Sequence, residues 1–233
     1  MTDKAAIVFI PGLVSSLRSH VPILPALWRH GSVLVVNQTL DDSIAAMAAR
    51  VLREAPPKFA LIGHSLGGYI ALEIMRQAPE RVTRLALMNT QARTDPPEVT
   101  ERRKAQLATA ASGNFMELMN AFFPLLVHPS RSDDPDLREE LRLACLDTGA
   151  ETFRRQQTAV MGRIDSRPFL PKIAVPTLVL SGDEDRLISN KYSREMAELI
   201  PRATLVIVPC CGHMAPLEQP EEVIAALEDW FAA

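Results

Sequence analysis

The chain has 233 residues, 47% of them hydrophobic, which suits one α/β domain with a sizeable core and excludes a disordered protein. Its 25 basic and 28 acidic residues give a formal charge of −3, so nucleic acid is not an expected partner. No run approaches the roughly 18 apolar residues of a membrane helix. The N-terminal apolar run is too short for a signal peptide, and two of the three cysteines are adjacent, which gives no disulfide framework. We therefore expect a cytoplasmic protein that does not bind membranes.

Six short, continuous apolar runs are typical of strands buried on both faces of a parallel sheet. They lie at 6–10, 32–36, 59–63, 84–88, 176–182 and 204–209. Amphipathic helices are predicted between them, at 41–55, 68–79, 191–200 and 220–233. Alternating strands and helices imply right-handed crossovers, so the sequence predicts an α/β fold with a doubly wound, mostly parallel sheet of about six strands.

One segment interrupts this alternation. Residues 91–172 contain no convincing strand, and their pattern predicts helices near 97–111, 114–123, 134–147 and 150–163. We expect a core domain made of residues 1–90 and 173–233, with residues 91–172 inserted as a helical lid.

The residues from Gly63 to Gly67 read G-H-S-L-G and match G-x-S-x-G, between a predicted strand and a predicted helix. That context is what a nucleophile elbow requires, because a sharp strand-to-helix turn exposes the serine oxygen and needs small neighbours. Ser65 is therefore the candidate nucleophile. A glycine-rich turn with a solvated serine is the alternative that the pentapeptide alone leaves open.

A serine hydroxyl is a poor nucleophile unless a base removes its proton, and the chain has five histidines. His213 follows the last predicted strand, where a parallel sheet places its functional loops. It is the candidate base. The other four histidines, for which packing is the favoured interpretation, are His20, His30, His64 and His128.

The base needs an orienting carboxylate. Asp185, which follows the strand at 176–182, is our choice, and Asp183 is its nearest rival. Asp95, after the strand at 84–88, is a weaker candidate. The order Ser65, Asp185, His213 is the order of nucleophile, acid and base in α/β-hydrolases.

The sequence resembles the α/β-hydrolase fold superfamily, in its lidded esterase and lactonase-like branch. The resemblance is carried by "FIPG" at 9–12, "GHSLGG" at 63–68, "PTLVLSGDEDRL" at 176–187 and "CGHMAPLEQPEEV" at 211–223. It implies an oxyanion hole formed by the backbone amides of Leu66 and Leu13, with Val14 as the alternative to Leu13. Many relatives carry His-Gly where this chain has Pro11 and Gly12, a change that a backbone donor should tolerate.

The predicted insertion carries an apolar stripe at helical spacing: Phe115, Leu118, Met119, Phe122 and Phe123. The stripe packs the lid onto the core or lines an acyl or aryl pocket, and the sequence favours neither. Few charges fall on it, which favours a substrate with an apolar organic part.

These observations predict a serine carboxylesterase that acts on a small-molecule ester through an acyl-enzyme. Thioesters, lactones and carbon–carbon bonds are alternative substrates for the same groups, and a non-catalytic small-molecule receptor is a further alternative. The spacing of Cys210, Cys211 and His213 is poor for zinc, so no metal is expected. No phosphate-binding glycine motif is present, so no cofactor is expected either.

Overall fold

The computed structural model describes residues 6–36 and 38–233. Its strands are β1 (Ile7–Ile10), β2 (Val33–Val35), β3 (Phe59–His64), β4 (Val82–Met88), β5 (Thr177–Gly182) and β6 (Ala203–Val208). They form one parallel sheet in the order β2-β1-β3-β4-β5-β6. The predicted fold class is confirmed, because all the predicted apolar runs coincide with strands of this sheet.

The described α-helices lie beside the sheet or in the segment between β4 and β5. They are α1 (Leu24–His30), α2 (Ile44–Glu54), α3 (Leu66–Gln77), α4 (Pro97–Thr109), α5 (Phe115–Leu126), α6 (Pro135–Met161), α7 (Lys191–Leu199), α8 (Ala215–Glu218) and α9 (Pro220–Ala232). α2 begins where the Ser43 side chain accepts a hydrogen bond from the Ala46 amide, which satisfies one of the free donors of the first turn.

The sheet is buried on both faces, which explains why its strands read as continuous apolar runs. Val8 belongs to a cluster with Met47 of α2 and Ile70 of α3 on one face. Phe9, the next residue along β1, belongs to a cluster with Leu227 of α9 on the other face. Burial of each such side chain stabilises the folded state by roughly 1.5–3 kcal/mol. The carboxyl ends of the strands are thereby held rigidly at one edge of the sheet.

The segment between β4 and β5 is helical, as predicted, and no described residue of 91–172 lies in a strand. The prediction of two helices at 134–147 and 150–163 is confirmed, because α6 consists of two helical parts on either side of a non-helical residue, Gly149 (φ 77°, ψ 170°). A π-helical turn, Ala110–Asn114, likewise joins α4 to α5, with Gly113 at φ 93°. Glycine adopts positive φ easily, so Gly113 and Gly149 allow the chain to change direction between consecutive helices.

Residues 17–30 form a short 3₁₀ helix, Leu17–Ile23, followed by α1. The sequence did not predict these elements, because Pro22 and Pro25 obscure the helical pattern. Across residues 6–36 and 38–233, no helix combines the length and the apolar character needed to cross a membrane. Over the same residues, no group of three or more histidine, cysteine or acidic side chains is placed to hold a metal ion.

Candidate active site

Ser65 lies at the sharp turn between β3 and α3, with φ 54° and ψ −115°. Positive φ is strained for a residue with a Cβ, and it persists only where the surroundings fix it. Here the Ser65 amide donates to the carbonyl of Met88 (2.9 Å), and the hydroxyl of Thr90 donates to the carbonyl of Ser65 (2.8 Å). The turn leaves the Ser65 hydroxyl at the wall of a large cavity.

The glycines around Ser65 are required by close backbone approaches. A Cβ at Gly67 would lie 2.0 Å from the carbonyl oxygen of Ile10, and a Cβ at Gly63 would lie 2.4 Å from the carbonyl oxygen of Gly67. Both distances are far below van der Waals contact. The sequence pattern that singled out Ser65 therefore has a steric cause at this turn.

Three predicted residues form one chain of hydrogen bonds. His213 Nε2 lies 2.9 Å from Ser65 Oγ, and His213 Nδ1 lies 2.8 Å from Asp185 Oδ2. All three residues are buried, with exposed fractions of 9% for Ser65, 6% for Asp185 and 2% for His213. A proton on Nδ1 is held by the carboxylate, so Nε2 presents its lone pair to the serine hydroxyl.

Asp185 is fixed by its own hydrogen bonds. Its Oδ1 accepts from the backbone amides of Leu187 (3.0 Å) and Ile188 (2.8 Å). Its Oδ2, which contacts His213, also accepts from Asn89 Nδ2 (3.0 Å). Asn89 is fully buried at the carboxyl end of β4, and the sequence analysis missed it. Only its position, a polar residue directly after a buried strand, could have drawn attention to it.

The rival carboxylates contact other groups. Asp183 accepts hydrogen bonds from the backbone amides of Cys210 and Cys211, each at 3.0 Å. Burial opposes ionisation of Asp183, but these amides lower its pKa below the ordinary value. Asp95 is paired with Arg103 (2.6 Å) and Arg163 (2.7 Å). The geometry therefore places Asp185 alone of the three candidate acids against the imidazole of His213.

The other histidines lie in different settings. His64 Nε2 contacts the carbonyl oxygen of His213 (3.0 Å), and His64 Nδ1 contacts His20 Nε2 (3.3 Å). Burial lowers the pKa of His64 well below 6.5, so its neutral ring donates to the His213 backbone. His30 pairs with Glu228, and His128 contacts Ser130. None of these four rings contacts the Ser65 hydroxyl through a hydrogen bond in the described residues.

The buried His20 makes the stability of the fold depend on pH. Burial lowers the pKa of His20 from 6.5 to about 4, so between these values the unfolded chain binds a proton that the folded protein does not. The free energy of unfolding therefore falls as the pH drops, by about 2 kcal/mol between pH 7 and pH 5 from this group alone.

We expect His20→Gln to show a shallower loss of stability than the wild type when urea unfolding is compared at pH 7 and pH 5. His128→Gln is the control for removing a histidine outside this chain of contacts, and it should keep the wild-type difference. Equal pH dependence in the wild type and His20→Gln would contradict the prediction.

The loop that presents His213 is anchored by Glu218, a buried residue that the sequence analysis also missed. Glu218 Oε1 accepts hydrogen bonds from the amides of Gly212 (3.0 Å) and Met214 (3.1 Å). Burial raises the pKa of Glu218, and three backbone amides oppose that rise. The amides of His213 and Met214 donate to the carbonyl of Leu126, at 2.9 and 3.1 Å. The inserted segment thus helps to hold the loop that carries the imidazole.

The backbone amides of Leu13 and Leu66, near Ser65, have no acceptor within residues 6–36 and 38–233. Both residues line the cavity with Ser65. The amide of Val14, by contrast, donates to Gln156 Oε1 at 2.7 Å. Of the two candidates in the loop after β1, the geometry therefore favours Leu13 over Val14 as a donor to a ligand.

The cavity has a volume of about 640 Å³ and reaches Ser65 and His213. Of the apolar stripe on α5, the residues that line it are Met119, Phe122 and Phe123. Phe115 does not: its ring packs against Phe153, with ring centroids 5.7 Å apart, behind the cavity wall. One helix therefore has both roles that the sequence left open, since part of the stripe packs inward and part faces the cavity.

The cavity is also rich in arginine, which the sequence analysis did not foresee. Its lining includes Arg93, Arg102, Arg103, Arg138, Arg142 and Arg167. Most of these pair with carboxylates, but Arg138, like the exposed Arg102, has no ion-pair partner among the described residues. Its guanidinium lies 4.1 Å from the ring centre of Phe123 and donates to the carbonyl of Ser132 (3.1 Å). A half-buried cation thus faces the same cavity as Ser65.

Comparisons with known proteins agree with this architecture. The chain is 28% identical to the pimeloyl-[acyl-carrier protein] methyl ester esterase of Nitrosomonas europaea, over 80% of this chain and 77% of that protein. A thermophilic esterase from Thermogutta terrifontis, solved with malate bound, is 27% identical with a TM-score of 0.85, covering 98% of this chain and 89% of that one.

The enol-lactonase from Burkholderia xenovorans has the same fold, with a TM-score of 0.88 at 24% identity, over 99% of this chain and 92% of that one. The model of the alpha/beta hydrolase family matches residues 7–226. Because that match spans nearly the whole chain, this protein belongs to the α/β hydrolase family.

Proposed function

We propose that the protein is a serine hydrolase that cleaves carboxylic esters through an acyl-enzyme. The observation that carries this proposal is the chain of hydrogen bonds from Asp185 through His213 to Ser65, beside a cavity large enough for a small molecule. A base within 2.9 Å of a hydroxyl, and itself oriented by a carboxylate, is the arrangement that activates a serine.

In the proposed reaction, Ser65 Oγ attacks the ester carbonyl carbon while His213 Nε2 takes the hydroxyl proton. The carbonyl π bond breaks, and its oxygen becomes an oxyanion that accepts hydrogen bonds from the Leu13 and Leu66 amides. When the oxyanion collapses, the bond to the leaving oxygen breaks and His213 returns the proton to it. Water, deprotonated by His213, then attacks the acyl-enzyme and releases the acid with Ser65 restored.

We further propose that residues 91–172 act as a lid that selects the acyl group. α4, α5 and α6 all contribute side chains to the cavity wall. Met119, Phe122 and Phe123 provide an apolar surface for an aliphatic or aryl part of the substrate.

We also propose a reducing, cytoplasmic location. It is supported by the three cysteines, which are all unpaired although one of them, Cys210, is exposed.

The arginines favour a second feature of the substrate, an acidic group. Arg138 is a cation beside an aromatic ring, and its planar donors suit a carboxylate. An ester with an apolar chain and a terminal carboxylate would satisfy both Phe123 and Arg138. One relative was solved with malate bound, and malate is a dicarboxylate, which supports testing acidic esters first.

The test compares methyl hexanoate with monomethyl adipate, whose acyl chains have the same number of carbons. We expect hydrolysis of both, with a higher kcat/KM for monomethyl adipate. Arg138→Gln should lower kcat/KM for monomethyl adipate by about tenfold, a loss of about 1.4 kcal/mol, and leave methyl hexanoate unchanged.

The matched control is Arg154→Gln, which removes an exposed arginine paired with Glu151 outside the cavity. It should leave both esters unchanged. No hydrolysis of either ester, or of the corresponding thioester and lactone substrates, would contradict the proposed hydrolase and favour a receptor. Hydrolysis with no preference for the acidic ester would contradict only the role of Arg138.

A further inference from the structure

A buried glutamine of the inserted segment contacts the loop after β1. Gln156, on α6, has no exposed surface, and its Oε1 accepts the amide of Val14 at 2.7 Å. Its Nε2 donates to the carbonyl of Gln38 (3.3 Å), and Gln38 Nε2 donates in turn to the carbonyl of Gly12 (3.1 Å). Two side-chain amides thus tie the loop at Gly12 and Val14, on either side of Leu13.

These contacts fix the direction of the Leu13 amide. The carbonyl of Gly12 and the N–H of Leu13 belong to one trans peptide plane, in which they point in opposite directions. The hydrogen bond from Gln38 to the Gly12 carbonyl therefore directs the Leu13 N–H the other way. The bond from Val14 to Gln156 fixes the next peptide plane as well.

The loop needs such support because its backbone is strained. Val14 is β-branched and has φ 42°, a conformation that costs of order 1–3 kcal/mol and relaxes unless contacts hold it. Without the acceptor on Gln156, the buried Val14 amide would lose its partner, and the adjoining peptides could rotate to find another.

We infer that Gln156 is a positioning residue that aims the Leu13 amide at the reacting oxygen, so that the inserted segment sets the strength of the oxyanion hole. This inference rests on the proposed function, in which Leu13 and Leu66 stabilise the oxyanion. Gln156 itself lies outside the cavity lining and does not touch the substrate. Its effect is therefore on the transition state rather than on substrate binding.

The test measures kcat and KM for monomethyl adipate and the inhibition constant of a trifluoromethyl ketone. Ser65 Oγ adds to the ketone carbon, the carbonyl π bond becomes an oxyanion, and the serine proton moves to His213, so this inhibitor reports the oxyanion hole. Gln156→Met should lower kcat by about 10- to 100-fold and keep KM within about twofold. It should raise the inhibition constant of the ketone by about the same factor as it lowers kcat. Gln156→Glu keeps the acceptor for Val14 and should recover part of kcat.

Gln157→Met is the control, because Gln157 is the next residue of α6 and is also buried, but it lines the cavity and bonds to Arg103 and Gln106 instead of the loop. It should not change the ratio of ketone affinity to substrate KM. Thermal unfolding of each variant verifies that it is folded. Gln38→Leu is a second variant, which should weaken binding of the ketone in the same way.

Three outcomes separate the inference from the function on which it rests. If the wild type binds the ketone and Gln156→Met, folded, keeps kcat within threefold, the positioning role is wrong and the hydrolase stands. A fall in kcat without weaker ketone binding would also overturn the positioning role. If the ketone does not inhibit the wild type and Ser65→Ala is fully active, the proposed function itself is wrong.

Discussion

Ser65→Ala is expected to lower kcat/KM for monomethyl adipate by roughly 10⁵-fold, because the nucleophile and its base act as one unit. The variant keeps the cavity, the Leu13 and Leu66 amides and His213, so a small rate above that in water should remain. A fluorophosphonate probe should label the wild type at Ser65, which peptide mass spectrometry locates, and should not label the variant.

Ser15→Ala is the matched control. Ser15 lines the same cavity and is also buried, but its hydroxyl has no hydrogen-bond partner among the described residues. Without a base within reach, Ser15 should stay unlabelled, and its loss should leave labelling intact. Equal labelling of the wild type and Ser65→Ala, with the variant folded, would remove Ser65 as the nucleophile.

The position of Ser65 was predictable because its causes are local in the sequence. The turn forces Gly63 and Gly67 to be glycines through backbone approaches of 2.4 and 2.0 Å, and these glycines appear in the sequence as a fixed spacing. The buried strands were predictable for a similar reason, since a strand covered on both faces excludes polar side chains along its length. The glycine spacing and the apolar runs can each be recognised in a stretch of fewer than ten residues.

The supporting residues were not predictable because their partners are distant in the chain. Asn89 contacts a carboxylate 96 residues away, and Gln156 contacts an amide 142 residues away. Polar side chains of this kind have no spacing that distinguishes them from surface residues. The proposed role of Arg138 was hidden for the same reason, because its position beside the cavity depends on how α6 packs against α5.

The inserted segment contacts both halves of the proposed machinery. The carbonyl of Leu126, at the end of α5, accepts hydrogen bonds from the loop that carries His213. Gln156, on α6, holds the loop that carries Leu13. A shift of the insertion would therefore disturb the base and the oxyanion donors together, besides changing the cavity. Under the proposed function, substrate selection and catalytic geometry would thus be coupled through the same helices.

Asp185→Asn is expected to lower kcat/KM by about 10⁴-fold through the proton on His213. The Leu187 and Ile188 amides donate to Oδ1, so the new side chain would keep its carbonyl oxygen there and place its NH₂ where Oδ2 was. That NH₂ donates to His213 Nδ1, which moves the ring proton to Nε2 and leaves no lone pair for the Ser65 hydroxyl.

Asp183→Asn is the control, because it changes the same atoms two residues away. Asp183 is exposed and accepts hydrogen bonds from the amides of Cys210 and Cys211, one of which an asparagine oxygen can still accept. This change should therefore cost about 1 kcal/mol of stability while kcat/KM stays within about tenfold. Steady-state kinetics and urea unfolding on both variants separate the two effects. An inactive Asp183→Asn beside an active Asp185→Asn would reverse the assignment of the acid, and full activity in both would show that His213 needs neither carboxylate for its orientation.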